Sequence, residues 1–251
     1  MIYTLRPLIQ RFDSLPSTNT EAARMAAHGA PEGLCIVAAE QTAGRGRRER
    51  TWISPAGAGL YFSIVLRPQL NAAHWPLLTL MAALAVHDAL REACALACDI
   101  KWPNDILANE RKLCGILAET IETKTGRACI MGIGINLLNA AFPPDLRDVA
   151  ISVEAAAQSA PDTEAVLQAL TRNIAEHYRR LHEADGARKL IAEWTARSSF
   201  ANGKSVRVAL CDEVFDGITR GLEQDGALRI ETHDGELKII RAGDVTALRG
   251  T

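Results

Sequence analysis

The fold of this chain is constrained most by an apolar stretch from Ile100 to Asn136 that turn residues divide into short runs. One turn lies at residues 109–111, and a second lies near residues 124–126. Short apolar runs joined by tight turns are typical of an antiparallel meander. The sequence therefore predicts three successive strands, in the runs Ile100–Asp105, Lys112–Glu119 and Ala128–Asn136.

Two kinds of residue interrupt these predicted strands. Glycine inside a strand often marks a place where another group approaches the sheet closely, and the glycines are Gly115, Gly132 and Gly134. The polar exceptions are Asn104, Asp105, Lys112 and Asn136. Each of them alone is compatible with a turn, but together they predict one binding site on the sheet face.

A basic loop, defined here as residues 42–52, lies between two further predicted strands, Leu34–Ala39 and Leu60–Leu66. Its centre is Gly-Arg-Gly-Arg-Arg-Glu-Arg over residues 44–50. Glycine lets a backbone approach a ligand, and arginine offers a charged planar fork. The loop therefore predicts capture of carboxylate or phosphate groups, although solvated surface is the commoner explanation for an arginine cluster alone. The dinucleotide fingerprint fails because Glu49 replaces its third glycine, and no Gly-Lys-Ser/Thr phosphate loop occurs.

Helical segments alternate with these strands. Thr18 and Glu21 have the spacing of a capping box, so the first helix is predicted to begin there, and Gly29 is a natural stop at its end. The segment from Trp75 to Ala97 is rich in Leu, Ala and Met and predicts a largely buried helix. Two more helices are predicted over residues 163–183 and 186–198.

The pattern changes near Phe200. From there short alternating segments are separated by Asp225-Gly226 and Asp234-Gly235, which is a strong hairpin signal. About fifty residues of this kind predict a small closed β-barrel. The predicted fold class is α+β, with a mixed, largely antiparallel sheet and packed helices over residues 1–199 and the barrel over residues 200–251.

Composition limits the class of protein. The formal net charge of −2 argues against a general polyanion binder, so the arginine cluster is a local feature. The six cysteines include no Cys-x-x-Cys pair, which favours free thiols in a reducing compartment over structural zinc. Because the N-terminus lacks a secretory pattern and no apolar run approaches about 18 residues, we expect a cytoplasmic protein that is not bound to a membrane.

Five segments together resemble biotin protein ligase, the biotin–acetyl-CoA-carboxylase ligase. They are Ser17–Asn19, Gln41–Arg48, Lys101–Asp105, Arg111–Leu117 and Gly132–Asn136. They occur in the family's order, and the hairpin-rich tail is similar to its C-terminal SH3-like domain. The resemblance implies a class II synthetase-like catalytic domain that converts biotin and MgATP to biotinyl-5′-AMP and pyrophosphate. A lysine of a biotin carboxyl carrier domain, the implied partner, then takes the biotinyl group.

The resemblance also implies a role for each matching residue. Those expected at the uncharged ureido ring of biotin are Ser17, Thr18, Asn19 and Gln41. Those expected along its tail and acyl phosphate are Gly44, Arg45, Gly46 and Arg47, with Gly115 leaving space for the ligand. Those expected to bind ATP are Arg47, Arg48, Trp52, Asn104, Lys112 and Asn136, with Trp52 near adenine. In the implied catalytic set, Lys112 bridges the carboxylate and the α-phosphate, Asp105 positions or deprotonates the incoming lysine, and Arg47 joins them; no metal ligand is expected from the protein.

Two features depart from the family's pattern. Glu49 stands where the family often has glycine, which puts the dynamics of the basic loop in question. Only sixteen residues precede Ser17, too few for the winged helix-turn-helix that some members carry. We therefore expect the enzyme alone, without specific DNA binding, and the sequence leaves a homodimer open.

Three alternatives stay open at this point. A lipoate–protein ligase has a related catalytic fold, although the Gly-Arg-Gly-Arg-Arg and Lys-Trp-Pro-Asn-Asp segments favour biotin. A non-catalytic biotin or nucleotide sensor would not need Lys112 and Asp105 placed for acyl transfer. Nucleic-acid binding by the basic loop is disfavoured by the acidic net charge and the lack of interleaved aromatic residues.

Overall fold

The computed structural model describes residues 4–139 and 142–248, which contain two β-sheets. The larger sheet has seven strands in the order β1-β2-β3-β7-β6-β5-β4. β1 and β2 are parallel, and the other neighbours are antiparallel. The strands are β1 (Leu8–Leu15), β2 (Leu34–Gln41), β3 (Gly59–Leu66), β4 (Asp99–Lys101), β5 (Asp105–Ala108), β6 (Arg111–Thr123) and β7 (Gly126–Asn136).

Helices cover both faces of this sheet. Because side chains alternate across a strand, Ile36 faces a small apolar cluster with the first helix, whereas Val37 faces the main core. That core is built on the second helix, whose residues are mostly buried. The helices are α1 (Thr18–Ala27), α2 (Leu77–Cys94), α3 (Val153–Ala157), α4 (Thr163–Leu181) and α5 (Gly186–Ala196).

The predicted meander contains four strands, not three. The run Ile100–Asp105 is divided at Pro103, and β4 and β5 form a short hairpin in which Lys101 is opposite Asp105. Asn104 and Asp105 therefore lie at the tip of a hairpin. The sequence pattern did not predict β1, because this edge strand is largely exposed and has no apolar alternation.

The C-terminal region forms a five-stranded antiparallel sheet in the order β11-β10-β9-β8-β12. Gly226 and Gly235, at the two predicted Asp-Gly turns, have φ angles of 83° and 85°, which glycine adopts without strain. The last strand was not predicted. The α+β fold class, with a small β domain after the mixed sheet, is confirmed. The strands are β8 (Asn202–Ala209), β9 (Val214–Leu222), β10 (Leu228–Thr232), β11 (Leu237–Ile240) and β12 (Asp244–Ala247).

The two sheets share one apolar core. Leu228 and Ile240 of the C-terminal sheet belong to the same buried cluster as Leu77 of α2. The Trp102 indole Nε1 donates to the Gly226 carbonyl at 3.0 Å. The C-terminal sheet is thus packed against the hairpin that carries Asn104 and Asp105. The domain boundary at residues 199 and 200 stays a prediction.

The cysteines in the described residues are free thiols. Burial raises the pKa of Cys35 to about 12 and does the same for Cys129. Such thiols stay protonated near neutral pH and pack as small apolar side chains.

Candidate active site

A cavity of about 1100 Å³ opens over the sheet face between α1, the basic loop and the C-terminal sheet. This volume slightly exceeds the range of about 300–1,000 Å³ that is usual for ligand pockets. All the predicted site residues except Gly44 and Arg48 line it. The structure therefore gathers segments that are far apart in the sequence around one space.

The cavity begins at the N-terminus of α1. Ser17, not Thr18, is the N-cap residue, and its side chain accepts from the Thr20 backbone N–H. The predicted capping box is therefore wrong by one residue. The consequence is that Thr18 is free to bind elsewhere, and its backbone N–H and hydroxyl donate to Gln41 Oε1 at 2.8 and 3.1 Å.

A hydrogen-bond chain continues across the sheet from these residues. The buried Ser63 hydroxyl lies 2.7 Å from Thr18 Oγ1 and 2.6 Å from Asn19 Oδ1. Asn19 Nδ2 donates to Glu119 Oε2 at 2.8 Å, and Glu119 Oε1 accepts from Arg45 at 2.5 Å. Ser63 and Glu119 were not among the site residues predicted from the sequence. The signal available for Ser63 was its place as a lone hydroxyl in the apolar run of β3.

The strand glycines provide room for protein side chains above the sheet. A Cβ atom at Gly132 would overlap the Asn19 amide. A Cβ at Gly134 would lie 2.5 Å from Trp52 Nε1, and one at Gly115 would lie 3.0 Å from Trp52 Cζ3. The prediction of close approach at these glycines is confirmed, and the approaching groups in the structure are Asn19 and Trp52.

Lys112 is one of the polar side chains that line the cavity. Its ammonium is 2.6 Å from Asp105 Oδ1 and 5.5 Å from the Trp52 ring centroid. Lys101 lies 3.7 Å from the other Asp105 oxygen. The carboxylate is therefore flanked by two ammonium groups, an arrangement that holds Lys112 over the sheet face.

The two predicted asparagines bind protein groups. Asn104 Nδ2 donates to the Ile116 carbonyl at 2.8 Å, and its Oδ1 accepts from Arg47 Nη1 at 2.8 Å. Asn136 Nδ2 donates to the Ile151 carbonyl at 3.2 Å. Both amides thus fix backbone and side chains that form the cavity, and their contacts with a nucleotide stay predictions.

The basic loop is docked on the C-terminal sheet. Arg47 Nη2 donates to the Gly243 carbonyl at 3.2 Å. Arg48 turns away from the cavity, donates to the Ala209 carbonyl at 3.4 Å and pairs with Asp244. Burial lowers the pKa of Arg47, which Asp244 and Asp105 oppose by their negative charge.

The C-terminal sheet also contributes directly to the cavity wall. Lys204, Asp244 and Thr246 line it, and no pattern in the hairpin segments indicated a site there. The basic loop has its own unusual backbone, since Arg48 and Glu49 have φ angles of 53° and 60°. The position at which the family often has glycine is therefore left-handed in this chain.

Within residues 4–139 and 142–248, no group of three or more His, Cys, Asp or Glu side chains is arranged to hold a metal ion. In the same ranges, no helix has the length and apolar character needed to cross a membrane.

The comparisons with known proteins agree with this geometry. Residues 11–136 match the biotin/lipoate A/B protein ligase family, and residues 202–246 match the biotin protein ligase C terminal domain. The chain belongs to the biotin/lipoate A/B protein ligase family. The second matching segment and the relatives described next place it with the biotin protein ligases.

Two relatives and one solved structure illustrate the similarity. The bifunctional ligase/repressor BirA of Bacillus subtilis is 38% identical over 92% of this chain and 71% of its own length. The biotin–acetyl-CoA-carboxylase ligase of Paracoccus denitrificans is 37% identical, over 91% of this chain and 96% of its own. The Aquifex aeolicus biotin protein ligase in complex with biotin and ATP has a TM-score of 0.83 at 28% identity, covering 96% of this chain and 99% of that one. The resemblance stated from the sequence, and the assignment as a ligase, are confirmed.

Proposed function

We propose that this protein condenses biotin with ATP to form biotinyl-5′-AMP and pyrophosphate, and then transfers the biotinyl group to a lysine of a biotin carboxyl carrier domain. The observation that carries the proposal is a single cavity with two chemically different ends. One end has uncharged amide and hydroxyl groups around Thr18 and Gln41, and the other has the cations Lys112 and Arg47. An uncharged ring with an anionic tail fits such a cavity.

The uncharged end suits the ureido ring of biotin. That ring presents one carbonyl acceptor and two N–H donors, and hydroxyl and amide side chains can match both kinds of group. Ser17, Thr18 and Asn19 are 3%, 3% and 4% exposed, so their hydrogen bonds are shielded from water. The hydrogen bonds of Ser63 fix the orientation of Thr18 and Asn19 before a ligand arrives.

The cationic end suits adenylate formation. The reaction brings a carboxylate against the α-phosphate of a polyanion, so positive groups must offset their repulsion and the charge that develops on the phosphoryl oxygens. Lys112 is held at the sheet face by Asp105, and Arg47 is held by Asn104 and Gly243. Two cations fixed in advance can therefore stabilise the charge with little reorganisation.

The second step requires a neutral amine from the carrier lysine. Asp105 is the carboxylate beside Lys112, and it would attract the incoming ammonium toward the acyl phosphate. Transfer breaks the bond between the acyl carbon and the phosphate oxygen, forms the amide and releases AMP. Asp105 positions the amine or accepts its proton in this proposal.

Magnesium fits this site as a partner of the nucleotide. The described residues provide no dedicated cage, and Mg²⁺ commonly binds through substrate phosphates with one or two protein oxygens. The oxygens of Asn104 and Asp105 are already bound to Arg47, Lys101 and Lys112, so the ion would be held by the substrate phosphates. The ion would supply charge neutralisation on the phosphates.

The test is incubation of the protein with biotin, MgATP and a purified carrier domain, followed by intact mass measurement. We expect the carrier to gain one biotinyl group, and to gain none after its acceptor lysine is changed to arginine. Pyrophosphate exchange with biotin or lipoate as the acid separates biotin ligation from lipoate ligation. Biotin binding without exchange or labelling would indicate a sensor and would refute the proposal.

A further inference from the structure

The carboxylate of Asp244, in the C-terminal sheet, holds the basic loop. Asp244, the first residue of β12, has its Oδ2 atom 3.4 Å from Arg48 Nη1 and also pairs with Arg50 Nη2. Its side chain is only 27% exposed, and the residue lines the cavity. Asp244 therefore connects the loop, the cavity and the C-terminal sheet.

Backbone carbonyls on the same edge of this sheet complete the contact. Asp244 is paired with Ala209 across β12 and β8. The Ala209 carbonyl accepts from Arg48, and the Gly243 carbonyl accepts from Arg47. Three acceptors at one end of the β8–β12 pair thus receive arginines from the tip of the loop.

On the side of the mixed sheet, the loop is held by the Arg45–Glu119 ion pair and the Arg47–Asn104 hydrogen bond. Residues 45–51 have no buried side chain, so apolar burial contributes little to holding them. Arg48 and Glu49 both have left-handed backbone, which is unfavourable for residues with a Cβ atom. The neighbouring arginines also repel one another, which a nearby carboxylate offsets. The closed conformation therefore depends on groups outside the loop.

We propose that Asp244 is a positioning residue that keeps the basic loop closed over the cavity by pairing with Arg48 and Arg50. Through it, the C-terminal sheet determines how long the activated acid is retained. This role in retention rests on the function proposed above, whereas the loop contact itself does not. A loop that opens more often would expose the acyl phosphate to water and to unrelated amines.

The first experiment measures loop opening without any ligand. Trypsin cleaves after arginine, so limited digestion followed by mass spectrometry reports access to Arg47, Arg48 and Arg50. Asp244→Asn is expected to speed cleavage at these sites about 2- to 10-fold, since it removes two partly exposed ion pairs. The matched control is Asp216→Asn, which breaks the 2.7 Å pair between Arg207 and Asp216 on the same sheet, a pair that includes no residue of the loop. It should leave loop cleavage unchanged.

A second variant guards against general unfolding. Arg50→Gln removes one partner of Asp244 from the loop side and should also speed cleavage after Arg48. If Asp244 acts through Arg50, the two substitutions together should have less than their multiplied effect. Asp244→Glu, which keeps the charge, should restore most of the protection. Thermal unfolding midpoints should stay close to that of the unmodified protein.

The third measurement concerns retention. The rate at which preformed biotinyl-AMP leaves the protein should rise about 2- to 10-fold in Asp244→Asn and stay unchanged in Asp216→Asn. Equal loop cleavage and equal release in Asp244→Asn and Asp216→Asn would overturn the proposal. If the unmodified protein forms no adenylate, the proposed function fails, and the digestion still decides whether Asp244 holds the loop.

Discussion

Replacing Lys112 by alanine should reduce biotin-dependent pyrophosphate exchange about 10²-fold, while leaving the fold intact. Lys112 is the ammonium closest to Asp105, at 2.6 Å, and it also lies over the Trp52 ring. Without Lys112, the cavity wall keeps the negative charge of Asp105 but loses the positive charge that offsets it. The substrates brought there are themselves anions, so the loss falls on the step in which negative charge develops.

The magnitude follows from two estimates. Losing one preorganised electrostatic contact to a developing charge costs about 10²–10³ in rate, or roughly 2.7–4 kcal/mol. Two unit charges about 4 Å apart interact by about 4 kcal/mol at the effective dielectric near a protein surface. The Lys112 side chain is 36% exposed, so solvent screens part of this interaction and we take the lower end.

The matched control is Lys238→Ala in the C-terminal sheet. Lys238 has the same kinds of partner, with Glu213 at 2.5 Å and the Phe215 ring centroid at 4.5 Å, but it does not line the cavity. It should leave exchange near that of the unmodified protein. Near-normal exchange in Lys112→Ala, or an equal loss in both variants, would remove Lys112 from the mechanism.

Three further substitutions test other parts of the molecule. Arg47→Gly should still form biotinyl-AMP but release it faster, because the substitution removes the hydrogen bonds to Asn104 and Gly243 and frees the backbone. Added serum albumin should then be biotinylated more by this variant than by the unmodified protein. Equal labelling of albumin would contradict the expectation. Gly132→Ala should raise the biotin KM about tenfold by displacing the Asn19 amide, and an unchanged KM would show that this amide does not bind biotin. Asp88→Asn should lower the free energy of unfolding at pH 7 by about 2 kcal/mol, measured in urea, because it removes the charge that pairs the buried Asp88 side chain with the partly exposed Arg197. Burial raises the pKa of Asp88, but hydrogen bonds from His177, His87 and Arg197 together hold it below its usual value. The stabilising effect of Asp88 is therefore complete above about pH 4 and is lost as the pH falls further. A difference in unfolding free energy between the two proteins that grows in acid would contradict this assignment.

The sequence predicted the mixed sheet and most of the cavity wall because those features leave local signals. Glycines and polar residues inside apolar strands mark the sheet face, and the loop around Arg47 has an unusual density of charge. Asp-Gly pairs fixed the hairpins of the C-terminal region. These signals depend on neighbours in sequence, so a single chain displays them directly.

The missed features depend on partners that are distant in the sequence. Ser63 and Glu119 become part of the site only because α1 crosses β3 and β6 and brings Asn19 between them. Asp244 matters because β12 begins beside a loop that lies nearly two hundred residues earlier in the sequence. β1 has no strong pattern because one of its edges is open to solvent. Such contacts become visible only when the topology is known.

The contact between Trp102 and Gly226 makes the C-terminal sheet part of the interior of the mixed-sheet region. A Cβ atom at Gly226 would lie 2.9 Å from Leu80 and 3.0 Å from Leu77, so this turn is inserted against α2 at van der Waals distance. A chain cut after residue 199 would lose the acceptor for the Trp102 indole and expose the apolar surface of α2 beneath the turn. The small sheet therefore cannot serve as an interchangeable module, and grafting another in its place would require this turn and its helix surface to be transferred together.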